Sequence, residues 1–213
     1  ALAPLSRATN AGWLKRHEDI LAKAASGHHD VMLLGDSITQ GWELNRVAWE
    51  QNMDNLPVQK VLNAGISSDR VEHILWRVQN GLFTSARPKI CVLMAGINNI
   101  AISSPESIAV TMGQLMDEIT RQSPNTKILV LGLLPSGKGA EHPRRSKIKF
   151  VNRLLEQVVA ERHGEFLDTG SSFLLEDGTL PKSISFDGVH LTKQGYQIWA
   201  AALRPSLRKI SRT

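Results

Sequence analysis

Short apolar runs alternate along the chain with longer amphipathic stretches. Val31 to Leu34, Val58 to Leu62, Ile90 to Ala95 and Ile128 to Leu134 read as four strands, with Glu165 to Leu167 as a weaker fifth. The third and fourth runs are almost continuously apolar, as strands covered by helices on both faces must be. Arg70 to Gln79 carries Val71, Ile74, Leu75 and Val78 at helical spacing, and Pro105 to Gln122 does the same with Ile108, Met112, Leu115 and Ile119. Ser104 before Pro105 is an expected N-cap. Helices are also expected over Ser146 to Arg162, Thr192 to Arg208 and, ahead of the first strand, Ala11 to Ala25. Strand and helix in alternation predict βαβ units, a three-layer α/β/α sandwich around a five-stranded parallel sheet. A chain of 213 residues fits one domain, residues 1–213. The longest irregular stretches, Pro135 to Arg145 and Ser171 to His190, are long enough to suggest function.

In a doubly wound sheet, ligands bind beyond the carboxyl ends of the strands. There the first strand runs into Gly35-Asp36-Ser37-Ile38-Thr39, the second into Asn63-Ala64-Gly65-Ile66-Ser67-Ser68-Asp69, and the third into Gly96-Ile97-Asn98-Asn99; the last such region holds Asp187-Gly188-Val189-His190. A serine hydroxyl becomes a nucleophile only when a base takes its proton, and His190 offers an imidazole for that purpose. Asp187, three residues earlier, can fix the imidazole tautomer. Ser37 opens a helix, so first-turn N–H groups favour negative charge developing beside it. The Asn98 amide and the backbone of the Gly65 to Ser68 turn supply further donors for an oxyanion. Singly, each residue has a plainer reading, Ser37 as a helix N-cap, Asn98 and Asp187-Gly188 as turn formers. Four such motifs, in order, at one sheet edge point to a Ser-His-Asp hydrolase.

Composition narrows the alternatives. No apolar run approaches the roughly 18 residues of a membrane span. The net charge of +5 comes from scattered Lys and Arg, apart from Arg144, Arg145, Lys147 and Lys149, read as a solvated helix start. No aromatic-basic motif supports nucleic-acid binding, and neither G-x-G-x-x-G nor a Walker lysine follows the first strand, which weighs against a non-catalytic flavodoxin-like nucleotide-binding domain. His17, His28, His29, His73, His142 and His163 lack metal-ligand spacing, and a Ser-His-Asp mechanism implies no metal and no organic cofactor. The single cysteine, Cys91, sits in an apolar run and is expected in the core. Ala1-Leu2-Ala3-Pro4 suits either a cytoplasmic protein or one from which an export signal has been removed.

Taken together, these blocks resemble the GDSL/SGNH hydrolase family, in the branch of the platelet-activating-factor acetylhydrolase catalytic subunits and their bacterial relatives. Gly35 to Trp42 is similar to that family's nucleophile block. Asn63-Ala64-Gly65 with Asp69, His73 to Arg77 and Asn80-Gly81 is similar to the second block and its helix, Gly96 to Asn99 to the third, Leu131 to Pro135 to the end of strand four, and Asp187 to Thr192 to the last. The resemblance implies flavodoxin-like strand order, a serine esterase acting on short acyl groups, acetyl first, and an oxyanion hole of Ser37, Ser68 and Asn98. It also implies a substrate-facing surface that includes Gly65, Ser67 and Ile97, and a homodimer by analogy. The partner expected is a small-molecule ester; longer acyl chains, as for a thioesterase or lysophospholipase, are the rival reading. Two positions depart from the family pattern. Ser67-Ser68 stands where Gly-Gly is usual, and serine resists positive φ, so a shifted or stiffer loop is expected. Ile97 replaces a small or polar residue and is expected to narrow or dry the pocket.

Overall fold

A computed structural model describes residues 1–212. Helix α1 spans Ala11–Ala25, with the Asn10 side chain capping Trp13 N–H, and it buries Trp13, His17, Ile20 and Ala24 along one stripe. Five strands follow: β1 (Val31–Gly35), β2 (Val61–Gly65), β3 (Ile90–Met94), β4 (Lys127–Leu131) and β5 (Glu165–Leu167). All pairings are parallel, in the order β2-β1-β3-β4-β5. This is the expected flavodoxin-like α/β sandwich.

Right-handed crossovers fix which face each helix covers. The chain steps from β1 out to β2 through α2 (Ser37–Gln40) and α3 (Arg46–Met53), then reverses through α4 (Val71–Arg77) and the short α5 (Phe83–Ser85) to β3. It continues through α6 (Pro105–Gln122) and α7 (Pro143–Ala160), and ends in α8 (Lys193–Ile210). Helix α3 therefore packs with α8 on one face, while α4, α6 and α7 pack in sequence on the other. The direction of travel changes at β1, which leaves a crevice above its carboxyl end.

Several boundaries differ from the sequence expectation. Strand β2 runs over Val61–Gly65 rather than Val58 to Leu62, although Val58 is buried. Asn63 is tolerated in the strand because its side chain is fully engaged, accepting from Gly65 N–H (2.9 Å) and donating to Thr39 and Gln40 carbonyls (3.0 and 3.2 Å). Beyond Leu131, the apolar Leu133 is buried without strand partners because Asn152 of α7 bonds both its N–H and its carbonyl. Helix α2 begins at Ser37 itself, as expected, whereas α3 (Arg46–Met53) lies where the periodicity predicts no helix.

One residue of the basic cluster, Arg145, departs from the solvated role expected of it. Helix α7 begins at Pro143, and Arg145 is only 5% exposed. Its guanidinium donates to the Ser136 carbonyl (3.1 Å) and to that of Gly137 (2.8 Å), so it anchors the start of the loop after β4 instead of facing solvent. No described helix is long and apolar enough to cross a membrane.

Candidate active site

Four loops build the site, each held by hydrogen bonds that the strand and helix ladders do not supply. After β1, Asp36 is completely buried and accepts the Ile38 N–H (2.9 Å), so Ser37 starts α2 at the sheet edge. The Tyr196 hydroxyl of α8 donates to the Ile38 carbonyl (2.7 Å) from the far end of the chain. Gly65 ends β2 so close to this turn that an added Cβ would lie 2.4 Å from Gln40 N. It is buried and serves the close approach of β2 to α2, beneath the surface that Ser67 and Ser68 present.

The second loop carries Asp187 and His190. Ser185 Oγ donates to the His190 carbonyl (2.8 Å), Ser185 and Leu191 form an antiparallel bridge, and Gly137 N–H donates to the Gly188 carbonyl (2.8 Å). Gly188 adopts φ of 82°, the left-handed turn that lets the chain double back. Asp187 Oδ1 accepts the N–H groups of Val189 (2.9 Å) and His190 (2.7 Å), which leaves Oδ2 to meet His190 Nδ1 at 2.7 Å. His190 Nε2 lies 2.9 Å from Ser37 Oγ, across 153 positions of sequence. The Asp187 and His190 side chains are 42% and 39% exposed, so the three groups line an open rim.

Electrostatics separates the two acids. Partial burial raises the Asp187 carboxyl, but the His190 imidazole and the two backbone donors outweigh it, and the group is held below the usual carboxylate range. Asp36 moves the other way. Complete burial, only partly offset by the Ile38 N–H and reinforced by the Asp69 charge, pushes its carboxyl up to about 7.

The third element is the turn after β2 with the loop after β3. Ser68 adopts φ of 62°, so this serine takes the left-handed conformation that glycine usually supplies. Its N–H meets no acceptor among the described residues. One N–H of the Asn98 amide donates to the Asp69 carbonyl (2.8 Å), which leaves the other free and ties the two loops together. Asn99 is buried and structural, accepting from Val71 N–H and donating to Glu72. Ile97 is half-buried and packs on the core, and Ser67 is exposed with its N–H on Gln40 Oε1 (2.8 Å).

Sequence reasoning overlooked Phe186. It is 61% exposed, and its ring lies nearly parallel to that of His190, centroids 5.9 Å apart. The signal was a large aromatic immediately before Asp187 in an irregular stretch. The other histidines serve elsewhere: His17 and His73 are buried, which pushes each down to about 4, helped by the Arg77 and Arg70 charges respectively. Among the described residues, no cluster of His, Cys, Asp and Glu could hold a metal ion. Cys91 is buried in β3. A cavity of about 470 Å³ beside β4 and β5, lined by Leu133, Arg145, Asn152 and Asp168 among others, includes none of Ser37, Asp187 and His190.

The family model of GDSL-like lipases/acylhydrolases matches residues 33–198. The chain is 30% identical over 199 residues to platelet-activating factor acetylhydrolase IB subunit alpha1 of Homo sapiens, covering 93% of this chain and 84% of that protein. A GDSL-like lipase from Bacteroides thetaiotaomicron superposes with a TM-score of 0.73 at 19% identity, over 91% of this chain and 97% of that one. A variant of an acetyl-xylooligosaccharide esterase from Geobacillus does so with a TM-score of 0.71 at 18% identity, over 86% and 96%.

Proposed function

This chain belongs to the GDSL-like lipase/acylhydrolase family and is a carboxylic ester hydrolase, and from that premise we propose that it cleaves short-chain acyl esters, acetyl esters first, through an acyl-enzyme on Ser37. The observation that carries the reading is the hydrogen-bonded relay from Asp187 Oδ2 through the His190 ring to Ser37 Oγ, at 2.7 and 2.9 Å.

In this mechanism His190 Nε2 takes the Ser37 proton as Oγ bonds to the ester carbonyl carbon. Asp187 holds the tautomer with Nδ1 protonated and stabilises the imidazolium. Negative charge on the former carbonyl oxygen is met by the N–H groups of Ser37 and Ser68 and by the free N–H of Asn98. Collapse of the tetrahedral intermediate breaks the bond to the alcohol oxygen, which receives the proton from His190. Water then attacks the acyl-enzyme, gives its proton to His190, and releases the acid as the proton returns to Ser37 Oγ. Every proton and bond is accounted for by these residues and water.

The short acyl preference is supported by the half-buried Ile97 beside Asn98, a branched side chain where a long acyl group would need space. The acetyl esters named for the human relative and for the Geobacillus enzyme point the same way. The test is a fluorophosphonate label with rates on p-nitrophenyl acetate, butyrate and octanoate. Wild type is expected to be labelled at Ser37 and to prefer acetate, and Ser37→Ala to lose both label and turnover. An unlabelled, folded wild type refutes the mechanism, and a preference for octanoate refutes the acyl length.

A further inference from the structure

The segment ahead of β1 lies outside the span matched by the family model, yet it reaches the loop that carries Ser68. Three arginines hold carbonyl groups from the end of β2 into that loop. Arg77 Nη2 donates to Ala64 (2.7 Å), Arg16 Nε to Gly65 (2.7 Å) and Arg7 Nη1 to Ser67 (2.9 Å). The fully buried Asp69 carboxylate gathers the same groups, accepting from Trp13 Nε1 (2.6 Å), Arg77 Nη1 (3.0 Å) and Arg7 Nη1 (3.3 Å). The backbone N–H of Leu5 bonds to the Glu72 carbonyl (3.1 Å), and that of Leu2 to Thr111 Oγ1 (2.8 Å), which laces the segment bearing Arg7 across α4 and α6.

We infer that Arg7 is a positioning residue for the oxyanion hole, holding the Ser67–Ser68 peptide so that Ser68 N–H faces the substrate. The argument is geometric, and it rests on the esterase reading above. The Ser67 carbonyl and the Ser68 N–H belong to one peptide unit, and in a trans peptide they point in opposite directions. A guanidinium that fixes the carbonyl on the far side therefore aims the N–H into the site. The charge also polarises the peptide, strengthening the N–H as a donor.

This clamp has something to oppose. Ser68 is held at φ of 62°, which a side chain other than Gly, Asn or Asp rarely adopts. Turning the 67–68 peptide over would change Ser67 ψ and Ser68 φ together, let Ser68 return to negative φ, and point its N–H away from the rim. Where relatives of the branch use glycine, this chain has a serine and an arginine that restrains it.

The test pairs Arg7→Met with Ser68→Gly, singly and together, reading kcat, KM, the rate of fluorophosphonate labelling, and the unfolding temperature. Arg7→Met is expected to lower kcat and the labelling rate by about 10²-fold, the loss typical of one oxyanion donor, with KM little changed. In that background Ser68→Gly is expected to restore about tenfold, because glycine reaches positive φ without the steric cost. Unchanged kcat and labelling in Arg7→Met overturn the inference. So does a loss of activity that follows a loss of folded protein and is not rescued by Ser68→Gly. The two readings fail differently: an unlabelled wild type removes the esterase mechanism, whereas a labelled wild type matched in rate by Arg7→Met removes only the clamp.

Discussion

Replacing Asp36 by Asn should make the protein more stable at pH 8 than the wild type, and by an amount that vanishes in acid. The carboxyl is completely buried, one oxygen has no hydrogen-bond partner, and burial pushes its proton affinity from the ordinary 3.8 to about 7. Between those values the folded state binds more protons than the unfolded state, so stability falls as pH rises through this window. At about 1.4 kcal/mol per tenfold change in proton affinity, the full effect is roughly 4 kcal/mol. The wild-type curve alone will not show it. His17 and His73 are held neutral down to about 4 against an ordinary 6.5, so each adds stability as pH rises from about 4 to 6.5, opposing Asp36. The difference between the two proteins cancels the histidines. Asn keeps an oxygen to cap Ile38 N–H while removing the charge. Urea unfolding followed by tryptophan fluorescence at pH 4 and pH 8 should therefore give a stability difference that grows by about 4 kcal/mol, or roughly 8–16 °C in Tm for a chain of this size. A difference independent of pH would refute the reasoning.

Two further predictions test the proposed triad and its support. Asp187→Asn should leave the fold intact and lower kcat on p-nitrophenyl acetate by about 10⁴-fold, because the amide no longer selects the tautomer that leaves Nε2 free; a loss under tenfold would exclude the assigned role. Arg145→Met should cost about 2 kcal/mol by stranding the buried Ser136 carbonyl and the half-buried Gly137 carbonyl, measured by urea unfolding, and should also slow turnover, since Gly137 N–H holds the Gly188 carbonyl in the histidine loop. Unchanged stability would return Arg145 to the solvated surface that its sequence neighbours suggest.

The periodicity of apolar positions carried the sheet and its main helices, because a strand buried on both faces and an amphipathic helix each leave a local, repeating mark. Helix α1 and helix α6 coincide with their expected bounds for that reason, with Asn10 and Ser104 as visible caps. Motif order likewise offered Ser37, Asp187, His190 and Asn98 as candidates, since each stands at a strand end or in a loop that the topology must gather, and hydrogen bonds join the first three. Polar residues within elements were harder to read. Asn63 inside β2, Asn152 bonding Leu133, and Arg145 in the basic cluster look like breaks or surface until their partners, up to 24 positions away, are known.

What belonged to the sequence was thus the list of elements and the chemically capable side chains, both set by short-range pattern. The tertiary structure alone decided which of those side chains meet, because contacts such as His190 to Ser37, Arg7 to Ser67 and Tyr196 to Ile38 join positions 60 to 158 residues apart. Hydrogen-bond geometry also decided the backbone of Ser68 and the two opposite environments of Asp36 and Asp187. Identical carboxyl groups differ there only in what surrounds them, and no spacing rule along the chain records that.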